Sequence, residues 1–237
     1  MVEMEKIFMP QKNVKAKIFD EWPEKYDQWF TTPIGSLVKK VEGELLLDLL
    51  NPVRAERILD AGCGTGVFTQ DILSCGSKVA GLDVSLPMLM RARQKARESA
   101  FQGAAADMLN LPFPENCFDK TISVTALEFI ADGPRAVREL FRVTRMRGVI
   151  VVATLNGLSP WATRRKEKAQ KGHPLFQKII FRTPEELASL APVRGVTRTA
   201  VHFRKEDDPN RAAEIEQEGR RRGLNTGAFL AACWAKP

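Results

Sequence analysis

The stretch Ile58-Leu-Asp-Ala-Gly-Cys-Gly-Thr-Gly-Val-Phe-Thr69 constrains the chain most. A short apolar run ends in an acid, and a Gly-x-Gly-x-Gly turn then opens onto a helical pattern. Glycine lets a backbone turn tightly and lets a ligand approach main-chain atoms closely. Strand, glycine turn and helix in that order form the first βα unit of an open sheet, where such folds place cofactors.

The rhythm continues on both sides of this turn. Residues 36–50 put Leu37, Val38, Val41, Leu45, Leu46 and Leu49 on one helical stripe, which Pro52 ends. Strands are expected at Arg57–Asp60, Lys78–Asp83, Gly103–Ala106, Phe118–Val124 and Val149–Thr154. Helices are expected at Val67–Leu73, at Met88–Glu98 behind Ser85 as N-cap, and at Pro134–Val143. Strands alternating with helices at this spacing imply βαβ units and a parallel sheet. Residues 155–182, broken by Gly157, Pro160, Gly172 and Pro174, read as an insertion or lid. Thr183-Pro-Glu-Glu186 is a capping box that starts a helix over 183–191. A charged helix near 210–222 separates two late strands, Val193–Phe203 and Ala228–Ala235.

Length and composition narrow the class. The 237 residues are 44% hydrophobic and 27% charged, which argues against global disorder, collagen and coiled coil. A core of that size holds without disulfides or metals. The cysteines Cys63, Cys75, Cys117 and Cys233 are scattered, with no CxxC pair, so neither a zinc site nor a disulfide framework is expected. Their spacing points to a reducing cytoplasm. No apolar run approaches the roughly 20 residues that span a bilayer. Met1–Met9 has no apolar core and is not expected to be a secretory signal. The net charge of +7 comes partly from two clusters, Arg164–Lys171 and Arg220–Arg222. They are solvated surface or they attract an anionic partner.

The glycine turn selects among ligands. A phosphate-cradling loop needs GxxxxGK[ST], which is absent from the chain. A dinucleotide fingerprint needs a third glycine where Val67 stands, and Gly66 comes one residue early. S-adenosylmethionine carries an amino cation, which Asp60 at the strand tip suits. Asp83, ending Gly81-Leu-Asp-Val-Ser85, can accept from both ribose hydroxyls. Asp107, in Ala105-Ala-Asp-Met-Leu109, can accept from an adenine amino group with Met108 against the ring. Acids at consecutive strand ends form one array along the carboxyl edge of the sheet.

These segments, with AADMLNLPFPENCFD (105–119), VTALEFI (124–130) and ELFRVTRMRGVIVVAT (139–154), resemble class I S-adenosylmethionine-dependent methyltransferases. The likeness is to the small-molecule, ubiquinone/biotin-type (methyltransferase type 11) branch and covers residues 36–155. It implies a Rossmann-like, doubly wound seven-stranded sheet, mostly parallel with a reversed last strand and helices on both faces. It implies one methyltransferase domain over 1–237. That domain would hold an N-terminal cap or lid (1–34), a cofactor-binding core (36–155), an insertion or lid (155–182) and a C-terminal helix and strand hairpin (183–237). By this resemblance Gly62, Gly64 and Gly66 line the methionine part of the cofactor. Asp83 binds ribose, Asp107 and Met108 bind adenine, and Thr125 sits near the sulfonium. Tyr26, Asp60, Ala61, Cys63, Val84 and Met88 complete the expected cofactor site. S-adenosylhomocysteine is the implied product, and no metal is expected. Arg145-Met-Arg-Gly148 departs from the usual Pro-Gly-Gly, at a turn away from the cofactor.

The catalytic side is less defined. Methyl transfer needs an aligned acceptor and excluded water. Glu128, Tyr26 and His173 are the candidate catalytic groups, and His202 is a packing residue or a further candidate. The loop after the fourth strand reads Thr125-Ala-Leu-Glu128, without the Pro-Pro-aromatic signature of amino-group enzymes acting on adenine or glutamine. No Pro-Cys dipeptide supplies a cytosine-attacking thiol. A small-molecule acceptor is therefore expected. An RNA or protein methyltransferase using the basic clusters, and a non-catalytic cofactor-binding regulator on the same fold, stay open alternatives. So do the acceptor atom and the oligomeric state.

Overall fold

The computed structural model describes residues 19–237, so residues 1–18 of the expected cap lie outside the described residues. The strands are β1 (Arg57–Ala61), β2 (Lys78–Asp83), β3 (Phe101–Ala105), β4 (Phe118–Val124), β5 (Thr144–Leu155), β6 (Val196–Ala200) and β7 (Phe229–Ala235). They form a seven-stranded sheet in the order β3-β2-β1-β4-β5-β7-β6. Pairings from β3 through β5 are parallel. β7 runs antiparallel to both β5 and β6, as the resemblance implies. Strand order reverses between β1 and β4, and the crevice at that reversal is where open α/β sheets bind ligands.

The helices are α1 (Pro23–Thr31), α2 (Pro33–Leu50), α3 (Thr69–Ser74), α4 (Leu86–Lys95), α5 (Gly133–Val143), α6 (Pro160–Gln170), α7 (Pro184–Ala188) and α8 (Pro209–Arg221). Successive strand residues point to opposite faces, and both faces are covered. Ile58, Ile122, Val151 and Phe229 meet the α2 stripe of Val38, Val41, Leu45 and Leu46 on one side. Leu59, Ile150, Val152 and Leu230 meet Ala136, Val137 and Leu140 of α5 on the other.

Local chemistry sets the ends. The Ser85 hydroxyl accepts from Met88 N at the start of α4, and Asp132 accepts from Arg135 N at 3.0 Å beside α5. Thr183 and Glu186 form the expected capping box of α7. The helix after the glycine turn starts at Thr69, later than expected, because Phe68 is still the cap of the turn. The insertion 155–182 is not loop throughout. Ser159 accepts from Ala162 N at 3.1 Å and starts α6. The strand expected over 193–203 pairs only from Val196 to Ala200. Val201 then turns with φ +64 and leaves the sheet, and Phe203 is buried in the core. Arg145–Gly148 belongs to β5, where Arg145 pairs with Asp119 at 2.6 Å, at the end of the strand away from the crevice.

Candidate active site

A cavity of about 930 Å³ opens at the carboxyl edge of the sheet. The end of β1 contributes Asp60, Gly62, Cys63 and Gly64 to its wall. The end of β2 contributes Asp83 and Val84, and α4 adds Met88. Asp107 and Met108 follow β3, Thr125 follows β4, and Tyr26 comes from α1. Ala61 and Gly66 lie off this wall. Ala61 is fully buried and faces the α5 side of the sheet, and a Cβ on Gly66 would meet Ala92 of α4 at 3.1 Å.

Two glycines shape the turn. Gly62 has φ +80, and a Cβ there would collide with that of Ala126 at 2.4 Å, so the loop after β4 closes onto the turn only over glycine. Gly64 has φ +53, and a Cβ there would meet nothing within 4 Å. Its bare backbone leaves open space for a ligand. The Gly64 N–H donates to Asp83 Oδ2 at 2.8 Å, and the Ser85 N–H donates to Asp83 Oδ1 at 2.8 Å. Asp83 thus ties the turn to the end of β2 and keeps free lone pairs toward the cavity. Burial pushes its pKa up, against these backbone bonds.

Asp60 is the sharper signal of a ligand. Its Oδ2 accepts from Thr69 Oγ1 at 2.6 Å, while Oδ1 is buried with no partner. Burial pushes this carboxyl up to about 7. A buried carboxylate oxygen without a donor is costly, and a cationic ligand group relieves that cost. Asp107 Oδ1 accepts from Leu109 N at 2.9 Å, and Met108 is buried. An orphaned acid, an open glycine cradle and acids at successive strand ends fit the amino, ribose and adenine groups of S-adenosylmethionine. Asp83→Ala is therefore expected to weaken S-adenosylhomocysteine binding by at least about tenfold, ~1.4 kcal/mol, measured by calorimetry. Unchanged affinity in the folded variant would mean that the ribose lies elsewhere.

The N-terminal helix closes over this half. Asp27 on α1 accepts from Thr65 Oγ1 of the glycine turn at 2.6 Å, from Lys95 Nζ at 2.6 Å and from Arg91 Nε at 3.0 Å. Asp20 accepts from Ser85 Oγ at 2.7 Å. Tyr26 is then held facing Glu42, Thr125 and Glu128, and burial beside Glu42 pushes its hydroxyl pKa up. Thr125 has φ +48, an uncommon backbone state for a β-branched residue.

Beyond Thr125 the wall changes character. Glu128 is buried and accepts from Thr154 Oγ1 at 3.1 Å, and burial raises its pKa to about 7. Glu42 of α2 faces the same space and is pushed by burial to about 8. Arg165 of α6 reaches in above Trp161, its guanidinium carbon 5.3 Å from the ring centroid. Its Nη1 is buried with no partner. Burial lowers its pKa, opposed by Glu42 and Glu128. Arg182 stands behind Glu128 and donates to the Leu127 carbonyl at 3.2 Å.

Of the sequence candidates, Glu128 and Tyr26 meet in this cavity. His173 lies off its wall, stacked on Phe176 with centroids 3.9 Å apart. His202 is packed elsewhere, with Nδ1 3.1 Å from Glu216. Glu42 and Arg165 were not singled out from sequence. Glu42 left a trace there. It stands one turn after Val38 on the apolar stripe of α2, where an acid needs a reason. Arg165 left none within its basic run.

Comparison with known proteins identifies the family. A family model described as Methyltransferase domain matches residues 59–152. A malonyl-[acyl-carrier protein] O-methyltransferase of Serratia marcescens is 39% identical over 217 residues, 82% of this chain and 82% of that protein. One of Pectobacterium atrosepticum is 32% identical over 218 residues, 82% of this chain and 79% of that protein. A crystal structure from Thermotoga maritima, titled a SAM-dependent methyltransferase and possible histamine N-methyltransferase, shares the fold. It has a TM-score of 0.73 at 22% identity and covers 94% of this chain and 100% of that one. The chain belongs to the class I S-adenosylmethionine-dependent methyltransferases that act on small molecules.

Proposed function

We propose that the acceptor is a carboxylic acid and that the product is its methyl ester. The observation that carries this is Arg165, a partly buried side chain whose Nη1 is buried without a partner and which lines the space beyond Thr125. A carboxylate matches the planar fork of arginine in shape and charge. The two relatives named malonyl-[acyl-carrier protein] O-methyltransferase support an acid acceptor.

S-adenosylmethionine supplies an activated methyl group. Asp60, Gly64, Asp83, Asp107 and Met108 would hold it. Arg165 would hold the acceptor carboxylate and leave a lone pair on one of its oxygens free to attack the methyl carbon as the bond from that carbon to sulfur breaks. An ionised carboxylate needs no base, so Glu128 and Glu42 have no proton to remove. Protonated, they would donate to the acceptor and help fix its angle. Alignment of this kind contributes on the order of 7–11 kcal/mol in favourable cases. Tyr26, Phe129 and Trp161 wall the space and exclude water. Residues 19–34 and 155–182 would act as the two covers.

The titrations give a sign. An acid acceptor with a pKa near ~4 is ionised throughout the range from pH 6 to 9. Glu128, near 7, and Glu42, near 8, lose their protons within it. Each new negative charge opposes Arg165 and repels the acceptor. With S-adenosylmethionine saturating, so that Asp60 is already paired with the cofactor, kcat/KM for an acid is therefore expected to fall as pH rises through that range. An amine acceptor would give the opposite slope, since it sheds its own proton and gains two carboxylates. A pH–rate profile on matched acid and amine panels decides, and turnover of amines alone, rising with pH, would overturn the acid reading.

A further inference from the structure

The cavity does not end at Arg165. Its outer wall carries Arg164 and Lys168 from α6 and Arg204 and Lys205 from the loop after β6, all of them exposed. These positions are far apart in sequence. Trp161 Nε1 donates to the Phe203 carbonyl at 2.7 Å and fastens the two segments together. Lys205 is set in place over the Trp29 ring, with Nζ 4.7 Å from its centroid. Glu206, which pairs with Arg164, and Glu167 are the acids on this outer wall. Among the described residues Lys168, Arg204 and Lys205 make no ion pair. Burial depresses the Lys205 pKa, and the nearby charges of Lys168, Arg164 and Arg165 lower it further.

We propose that this mouth is a phosphate subsite, in which Lys168, Lys205 and Arg204 take a phosphate ester at the far end of an acceptor whose apolar body lies along Trp29, Trp161 and Phe176. Among the described residues most of the second basic cluster is paired within the fold, which disfavours a polyanionic strand. Arg220 is spent on Glu216 and Glu44, and Arg221 on Glu218. A compact phosphate matches a few convergent cations at the end of an apolar channel. That the phosphate belongs to the methyl acceptor rests on the carboxylate reading above, whereas the subsite does not.

The test uses the full chain saturated with S-adenosylhomocysteine. Calorimetry compares hexyl phosphate, hexyl methyl phosphate, hexanol and inorganic phosphate. Hexyl phosphate is expected to bind at least about tenfold more tightly than hexanol or inorganic phosphate. Lys168→Ala combined with Lys205→Ala is expected to lose about tenfold for the phosphate esters and nothing for hexanol or S-adenosylhomocysteine. Lys168→Arg with Lys205→Arg should restore binding, and Arg221→Ala should leave it unchanged. A preference for the monoester marks a free phosphorylated metabolite. Equal or better binding of the diester marks an acceptor tethered through a phosphodiester. Hexyl phosphate binding no better than hexanol, or an alanine pair without effect, would overturn the subsite. Arg165 is a second cation that a phosphate can pair with, so binding lost in Arg165→Met but kept in the alanine pair would place the anion at Arg165 and overturn the subsite at the mouth. A failed carboxylate reading would show instead in turnover of acids.

Discussion

Arg165→Met is expected to cut kcat/KM for an acid acceptor by about a hundred- to a thousandfold and to leave S-adenosylhomocysteine affinity unchanged within about twofold. A hydrogen bond to a charged group contributes ~1.5–3 kcal/mol, and stripping one partner from a buried charge pair costs ~3–5 kcal/mol. Each ~1.4 kcal/mol is tenfold in rate, which brackets the loss. The electrostatics offset a part of it, because without the cation Glu42 and Glu128 hold their protons to higher pH and repel the acceptor less. Arg165→Lys keeps the charge without the planar fork and should recover part of the rate. Steady-state kinetics with an acid acceptor, with cofactor binding measured in parallel, is the check. An unchanged kcat/KM would remove Arg165 from acceptor binding.

Gly64→Val is expected to abolish S-adenosylhomocysteine binding, a loss beyond about a hundredfold. A Cβ there would meet no protein atom within 4 Å, so valine would project into the space left for the ligand. The backbone adds a second cost, because φ is +53 and a β-branched residue resists that region by ~1–2 kcal/mol. That cost is small enough for a folded variant to be purified and verified by its thermal transition. Gly64→Ala should fall between. A folded Gly64→Val protein that binds like wild type would refute the placement of the cofactor against the turn.

The proposed cofactor half was legible in sequence because its residues are local. Asp60, Gly62 and Gly64 lie within one strand and its turn, and Asp83 and Asp107 end the next strands. Strand periodicity alone brings such positions to one edge of a parallel sheet. Ala61 shows the resolution of that reasoning, since a one-residue step along a strand moves a side chain to the other face, and Gly66 packs instead against Ala92 of α4. The acceptor half was not legible because it is assembled across the fold. Glu42 comes from the middle of α2, Glu128 from the loop after β4, Arg165 from α6 and Lys205 from the loop after β6. No local pattern links them. The basic run 164–171 reads as one feature, yet Arg165 turns inward, Arg164 and Lys168 stand at the mouth, and Lys166 lies over Phe181. The run 220–222 is different again, with Arg220 holding α8 to the Val41 carbonyl and Glu44 of α2.

The most direct test is the base stability of the transferred methyl group. The full chain is given S-adenosylmethionine labelled in its methyl group and a malonyl thioester, and the labelled product is treated with mild alkali. A carboxyl methyl ester releases its label as volatile methanol, and that is the expected result. Label that enters the acceptor and survives alkali, bound to nitrogen or carbon, would contradict the account.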